Sequence, residues 1–94
     1  MCCVVYFYII TDQKNRFYKG ITNNLKRRLH EHNYYKRGYT RFSSDWKYVH
    51  IERLLNRKDA RIKEIISKNM KAKSYMIRYN KENIIKELSK RFED

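Results

Sequence analysis

"VVYFYIITDQKNRFYKGI", residues 4–21 of a 94-residue chain, decides how the rest is read. Val4–Ile10 is a short apolar run rich in β-branched and aromatic residues, the pattern of a buried strand. "TDQKN" is a polar turn, and "RFYKGI" returns as a second strand, so the two make an antiparallel hairpin. A five-residue loop over 11–15 puts Tyr8 directly opposite Tyr18, with both rings on one face of the sheet. Lys19 then faces away from Tyr18.

Outward from the hairpin, Thr22 or Asn23 is placed to cap a helix. Leu25 and Leu29 lie four apart on its core face, while Arg28 and His32 form a neighbouring polar stripe. "NYYKRGYTRFSSD" is a basic, aromatic loop around Gly38. "WKYVHIERLL" alternates as a third strand, with Trp46, Tyr48 and His50 on one side. In "RKDARIKEIISKNM" the spacing predicts a helix with Ile62, Ile65, Ile66 and Met70 as its apolar stripe and Glu64 off it. "KENIIKELSKRF", residues 81–92, gives Ile84, Ile85, Leu88 and Phe92 as the stripe of a terminal amphipathic helix. The order is β-β-α-β-α-α, an α/β or α+β sandwich with a small sheet.

The chain has the length of one domain, 1–94, and buries roughly 60–65% of the surface its unfolded chain exposes. It holds no proline and only two glycines, which speaks against linkers. Its net charge of +13 favours polyanions, because Lys and Arg release counterions from phosphates. The excess is uneven: residues 14–41 hold nine Lys or Arg against Glu31 alone. Lys19, Lys26, Arg27, Lys36, Arg37 and Arg41 are candidates for tracking a nucleic-acid backbone, with Tyr35, Tyr39 and Phe42 as stacking rings. A merely solvated basic surface is the plainer alternative. Cys2 and Cys3 are adjacent and unsuited to a structural disulfide, which fits a reduced, intracellular protein. The apolar N-terminal run is too short to span a bilayer. His30, His32 and His50 do not make a zinc site, since His30 and His32 diverge by roughly 200° on a helix.

Cleaving a phosphodiester requires in-line attack by water, neutral charge balance at the phosphoryl oxygens and a stabilised leaving oxygen. Arg28 offers a permanent forked cation for those oxygens. Glu64 can hold a divalent ion, since Mg²⁺ often takes one or two carboxylates and fills its octahedron with water and phosphate. The alternative for Glu64 is a helical ion pair with Lys68. His32 titrates in a range suited to relaying a proton. Tyr8 or Tyr18 can orient or deprotonate the water, the latter only if a cation lowers its pKa from near 10. Gly20 lets a phosphate approach the backbone beside the helix start.

On these residues the chain resembles the GIY-YIG nuclease family over about residues 4–70, and among its branches the small stand-alone bacterial-type members. "YFY" (Tyr6–Tyr8) stands where the first tyrosine motif falls and "YKG" (Tyr18–Gly20) where the second does. "NNLKRRLHEHN" is similar to the helix that follows, and "DARIKEIISK" to the metal-binding helix. The resemblance implies a three-stranded antiparallel sheet flanked by helices. It also implies Tyr8 and Tyr18 as the pair acting on the water, Arg28 as the phosphate cation, His32 one turn later, and Glu64 as ligand of a single Mg²⁺ or Mn²⁺. Excision-repair, restriction and homing endonucleases share that core.

The chain departs from the pattern at four points. Tyr6 replaces the first motif's glycine, Lys19 replaces the second motif's isoleucine, and Ile21 stands where repair-type members carry a lysine. No asparagine falls at the late position, Asn69 and Asn80 being off its spacing. The reading is a divalent-metal-dependent endonuclease acting on DNA, branched or single-stranded regions included, with structure preference or weak sequence preference. A partner protein would have to supply finer specificity. The alternatives are a non-catalytic nucleic-acid-binding module of the same fold, and an adaptor that docks a partner through its terminal helix.

Overall fold

The computed structural model describes residues 4–35 and 38–88, to the backbone alone at 39, 41 and 87. Strands β1 (Val5–Thr11), β2 (Phe17–Thr22) and β3 (Lys47–Leu54) form one antiparallel sheet in the order β2-β1-β3. Helices are α1 (Leu25–Tyr34), α2 (Arg57–Lys68), α3 (Ala72–Arg78) and the short α4 (Ile85–Leu88). The main elements follow β-β-α-β-α-α, with α3 rather than the terminal helix in sixth place. No helix among the described residues is long and apolar enough to cross a membrane.

β1 is central, and Phe7, Tyr8, Ile9 and Ile10 are all fully buried, which explains a run without apolar–polar alternation. Its alternate side chains divide the molecule into two layers. On one face Tyr8 and Ile10 pack with Leu25, Trp46, Tyr48, Ile51 and Leu88, covered by α1 and the C-terminal segment. On the other, Phe7 and Ile9 pack with Ala72 and Tyr75, covered by α2 and α3.

The hairpin register differs from the sequence expectation by two residues: Tyr8 pairs with Gly20, and Tyr18 with Ile10. The five-residue loop lies one position later, at 12–16, because Asp12 builds it. The Asp12 carboxylate accepts from the backbone N–H groups of Lys14 (3.1 Å) and Arg16 (2.9 Å), from Arg16 Nε (2.8 Å) and from Ser43 Oγ (2.5 Å). Asn15 takes the left-handed conformation (φ 61°) that asparagine tolerates. A shift of two preserves the face, so Tyr8 and Tyr18 are diagonal neighbours on one side.

A bulge in β3 lies between the partners of Ile9 and Ile10, which are His50 and Tyr48. Val49 is the extra residue, and it breaks the alternation. Trp46 and Tyr48 therefore face the Tyr8 layer as expected, but His50 turns to the opposite layer against Phe7 and Tyr75. There His50 Nε2 and Glu52 Oε2 lie 2.7 Å apart. Tyr75 Oη donates to the same oxygen at 2.7 Å, and Lys63 Nζ pairs with Glu52 Oε1 at 3.1 Å.

Lys63 also accounts for a second correction. To reach Glu52 and lie over the Tyr79 ring (3.9 Å), α2 turns Ala60, Lys63 and Ser67 inward. Ile66 and Met70 join the core as expected, but Ile62 and Ile65 remain 46% and 59% exposed. Asn56 caps α2 by accepting from Asp59 N.

The terminal segment is not one helix from 81. A 3₁₀ turn at Asn80–Glu82 is followed by an extended stretch tied to the β3 edge. Ile51 N donates to Asn83 Oδ1, Asn83 Nδ2 to Val49 O and Ile84 N to Ile51 O. Edge carbonyls and amides that a helix would leave bare are thereby satisfied. Ile84, Ile85 and Leu88 pack as the apolar stripe requires; Phe92, Cys2 and Cys3 lie outside the described residues.

Candidate active site

Asn24, rather than Thr22 or Asn23, caps α1: its side chain accepts from Arg27 N at 3.0 Å. Thr22 Oγ1 accepts in turn from Asn24 N at 3.1 Å. This entry sets the phase of the helix so that Leu25 is buried while Arg28 and His32, one turn apart, lean over the Tyr8 face of the hairpin.

There four side chains meet. Tyr8 Oη lies 2.8 Å from His32 Nε2, and Arg28 Nε donates to the same Tyr8 oxygen at 3.3 Å. The Tyr18 ring sits 6.4 Å from Tyr8 and 5.1 Å from His32, centroid to centroid. Since Arg28 donates to the phenol oxygen, the phenol's own proton is free to point at His32 Nε2. That leaves the imidazole proton on Nδ1, where it donates to Thr40 Oγ1 at 2.8 Å. Thr40 is held over the helix by Trp46, whose indole N–H donates to Thr40 O, while Asn33 and Trp46 exchange hydrogen bonds.

Gly20 makes this arrangement possible. A Cβ there would meet Tyr8 Oη at 2.6 Å and Tyr8 Cζ at 2.8 Å. The Tyr8 ring lies across the glycine of the opposite strand, so the missing side chain admits a ring and not the phosphate expected from sequence.

Burial and charge set the protonation states. Burial pushes the Tyr8 phenol up to about 12, against the lowering effect of Arg28. Burial, with help from Arg28, holds the His32 imidazole down at about 4. Burial alone would lower Arg28, but Tyr8 and Glu31 (2.9 Å from Arg28 Nη1) raise it well above the usual range. At neutral pH the cluster is a protonated phenol, a neutral imidazole and a fixed cation. A cavity of about 480 Å³ opens beside it, lined by Tyr18, Arg28, Glu31, His32, Tyr35, Gly38 and Thr40.

Glu64 is not among those lining residues. It lies half-buried on α2, in the layer across the sheet from Tyr8, and among the described residues it forms no ion pair, with Lys68 or otherwise. Lys19 does not join a solvent-facing rim: its ammonium donates to Ser67 O and Met70 O at the end of α2, half-buried and lowered in pKa by that burial. β-strand alternation sends it there, away from Tyr18. Lys26 and Arg27 are exposed on α1; Lys36, Arg37 and the Arg41 side chain lie outside the described residues.

Sequence reading missed Thr40 and Glu31 as neighbours of the site. Glu31 was accessible, standing three residues after Arg28 on one helix face. Thr40 had no local signal, since a 3₁₀ turn beginning at Gly38 (φ 68°) carries it back to the helix.

The structure thus brings two tyrosines of the hairpin together with an arginine and a histidine of the next helix, while Glu64, the fifth residue of the expected set, stands apart from them. The sequence pattern of the GIY-YIG catalytic domain matches residues 4–93. Neither a curated protein nor a solved structure matches the chain. With all but four residues inside that match, and the sheet and helices in the corresponding order, the chain belongs to the GIY-YIG family of nucleases.

Proposed function

We propose that this protein is a divalent-metal-dependent endonuclease that hydrolyses DNA phosphodiester bonds, with structure preference or weak sequence preference. The observation that carries the reading is the Tyr8–His32–Arg28 cluster, hydrogen-bonded beside an open cavity whose wall Arg28 and His32 form. Arg28 supplies permanent charge to the non-bridging phosphoryl oxygens as they become more negative. Tyr18, half-buried at the cavity wall, orients the attacking water. A fully buried phenol near pKa 12 is no base for the attacking water at neutral pH, so Tyr8 acts by position. It hydrogen-bonds both Arg28 and His32, and with Thr40 on the other imidazole nitrogen it fixes the guanidinium and the neutral imidazole at the cavity wall.

The donor set suits one hard cation. Glu64 is a half-buried carboxylate with no cationic partner among the described residues, and a single carboxylate is a common protein contribution to Mg²⁺ or Mn²⁺. Arg57, two turns before Glu64 on the same helical stripe, lines a cavity together with Arg28. This supports a Glu64 stripe that faces the open edge of β2, round which the Tyr18 cavity lies. When bound, the metal supplies Lewis acidity at a phosphate oxygen and stabilises the leaving oxygen.

The rival reading, a non-catalytic nucleic-acid-binding module, draws on Ile21 in place of a second cation. Incubation with plasmid or branched DNA and Mg²⁺ or Mn²⁺ separates the two. Cleavage by the wild type, abolished in Glu64→Ala with salt-dependent binding retained, is the expected result. Absence of cleavage with binding intact, or undiminished cleavage by Glu64→Ala, overturns the proposal.

A further inference from the structure

A second cavity, of about 240 Å³, lies beside the first and is lined by Val5, Ile21, Thr22, Asn23, Arg27, Arg28 and Arg57. Arg28 borders both. Three guanidinium-bearing side chains thus converge from two helices on one small polar recess. Two of them, Arg27 and Arg28, share Glu31 as their counter-ion, at 3.5 and 2.9 Å. Arg57 forms no ion pair among the described residues.

Helix electrostatics sharpen the point. The N-terminal end of a helix carries partial positive charge and favours acids. α1 has no acid in its first turn and instead places Lys26, Arg27 and Arg28 there. α2 begins with Arg57 and Lys58, with Asp59 as the one acid of its first turn. Glu31 offsets part of the repulsion between Arg27 and Arg28, but no carboxylate is among the residues lining the recess, so Arg57 and its neighbours repel one another there unless an anion joins them. Stability does not call for such a placement; an anionic ligand does. A guanidinium also matches tetrahedral phosphate oxygens as a fork.

We propose that this recess is a non-catalytic phosphate subsite that binds the backbone phosphodiester next to the one being cut, with Arg57 and Arg27 as its ligands and Arg28 shared between the two phosphates. The proposal rests on the nuclease reading for the identity of the neighbouring phosphate, but its test does not depend on cleavage.

Binding of an oligonucleotide is measured without divalent metal, as a function of salt, for the wild type and Arg57→Gln. Loss of one phosphate contact lowers the log–log salt slope by about 0.9 on a duplex, or about 0.7 on a single strand, uniformly across sequences. The thermal midpoint of Arg57→Gln is expected to stay level or rise, because a repelled cation has been removed; a structural arginine would lower it. Single neutral methylphosphonate linkages are then scanned along the strand. One position should flatten the wild-type slope and be silent in Arg57→Gln. An unchanged slope in Arg57→Gln, or a lowered slope with no single silent linkage, overturns the subsite. Inorganic phosphate bound through Arg57 while the DNA slope stays unaltered also overturns it, by giving the recess to a free anion. Whether Glu64→Ala abolishes cutting is read separately and decides only the nuclease reading.

Discussion

Replacing Gly20 by alanine tests the centre of the site, because the contact it disturbs is intimate and one-sided. The new Cβ would stand 2.6 Å from Tyr8 Oη, about 0.8 Å inside ordinary contact, and 2.8 Å from Cζ. The ring has little freedom to retreat. It is fully buried, edge-on to Tyr48 at 5.5 Å and flanked by His32 at 5.9 Å. Overpacking of this kind costs about 1–3 kcal/mol, offset by about 0.5–1 kcal/mol from removing a glycine from a strand interior. The net destabilisation is about 1 kcal/mol, or roughly 4–8 °C in melting temperature for a chain of this size. Activity should suffer more. A shift near 1 Å moves the phenol off His32 and Arg28, and misplacement on that scale costs about 10²-fold in rate. Melting curves and single-turnover cleavage of the same preparation give both numbers. Gly38→Ala makes the contrast: its backbone is left-handed (φ 68°) while a Cβ there meets nothing within 4 Å, so its stability loss comes from backbone strain and not from a clash with Tyr8. A Gly20→Ala protein as stable as the wild type and cutting at its rate would refute the argument.

Acid should act in two stages. His32 is held at about 4, below the ordinary histidine value of about 6.5, so stability is full above pH 6.5 and falls until pH 4. Asp12 follows. Burial would raise its carboxyl, but donors from Ser43 and Arg16 outweigh that and hold it at about 2, so a further loss runs from about pH 4 to 2. Urea titrations at pH 7, 5 and 3 should show the first stage in the wild type and not in His32→Gln. Tyr8→Phe strips the phenol from a buried imidazole nitrogen, costing about 1–3 kcal/mol of stability and most of the cleavage rate. Lys63→Ala leaves Glu52 short of its cation in the opposite layer and should cost about 3–5 kcal/mol, read as a lower urea midpoint.

Much of this was legible in the sequence, because some signals are local. The β-branched run of β1, the polar turn and the four-residue spacing of Arg28 and His32 each speak through neighbours in the chain. Together they bring Tyr8, Tyr18, Arg28 and His32 to one face. The misses arise where a distant partner decides. Asp12 moved the loop by gathering donors from Arg16 and from Ser43. Lys63 rotated α2 to meet a carboxylate eleven residues earlier, leaving Ile62 and Ile65 outside. Lys19 reads as one more surface cation until Ser67 in α2 and Met70 just beyond it present their carbonyls.

The extra residue in β3 works as a phase shifter. Upstream of Val49 the strand feeds odd and even positions to one assignment of faces, and downstream to the reverse. Removing that single residue would leave Tyr48, His50, Ile51 and Glu52 in plain alternation opposite Ile10, Ile9, Tyr8 and Phe7, each still on its present face. A one-residue deletion is therefore expected to be tolerated at Val49, whereas one inside the regular, fully buried run of β1 would turn the rest of that strand to the wrong layers.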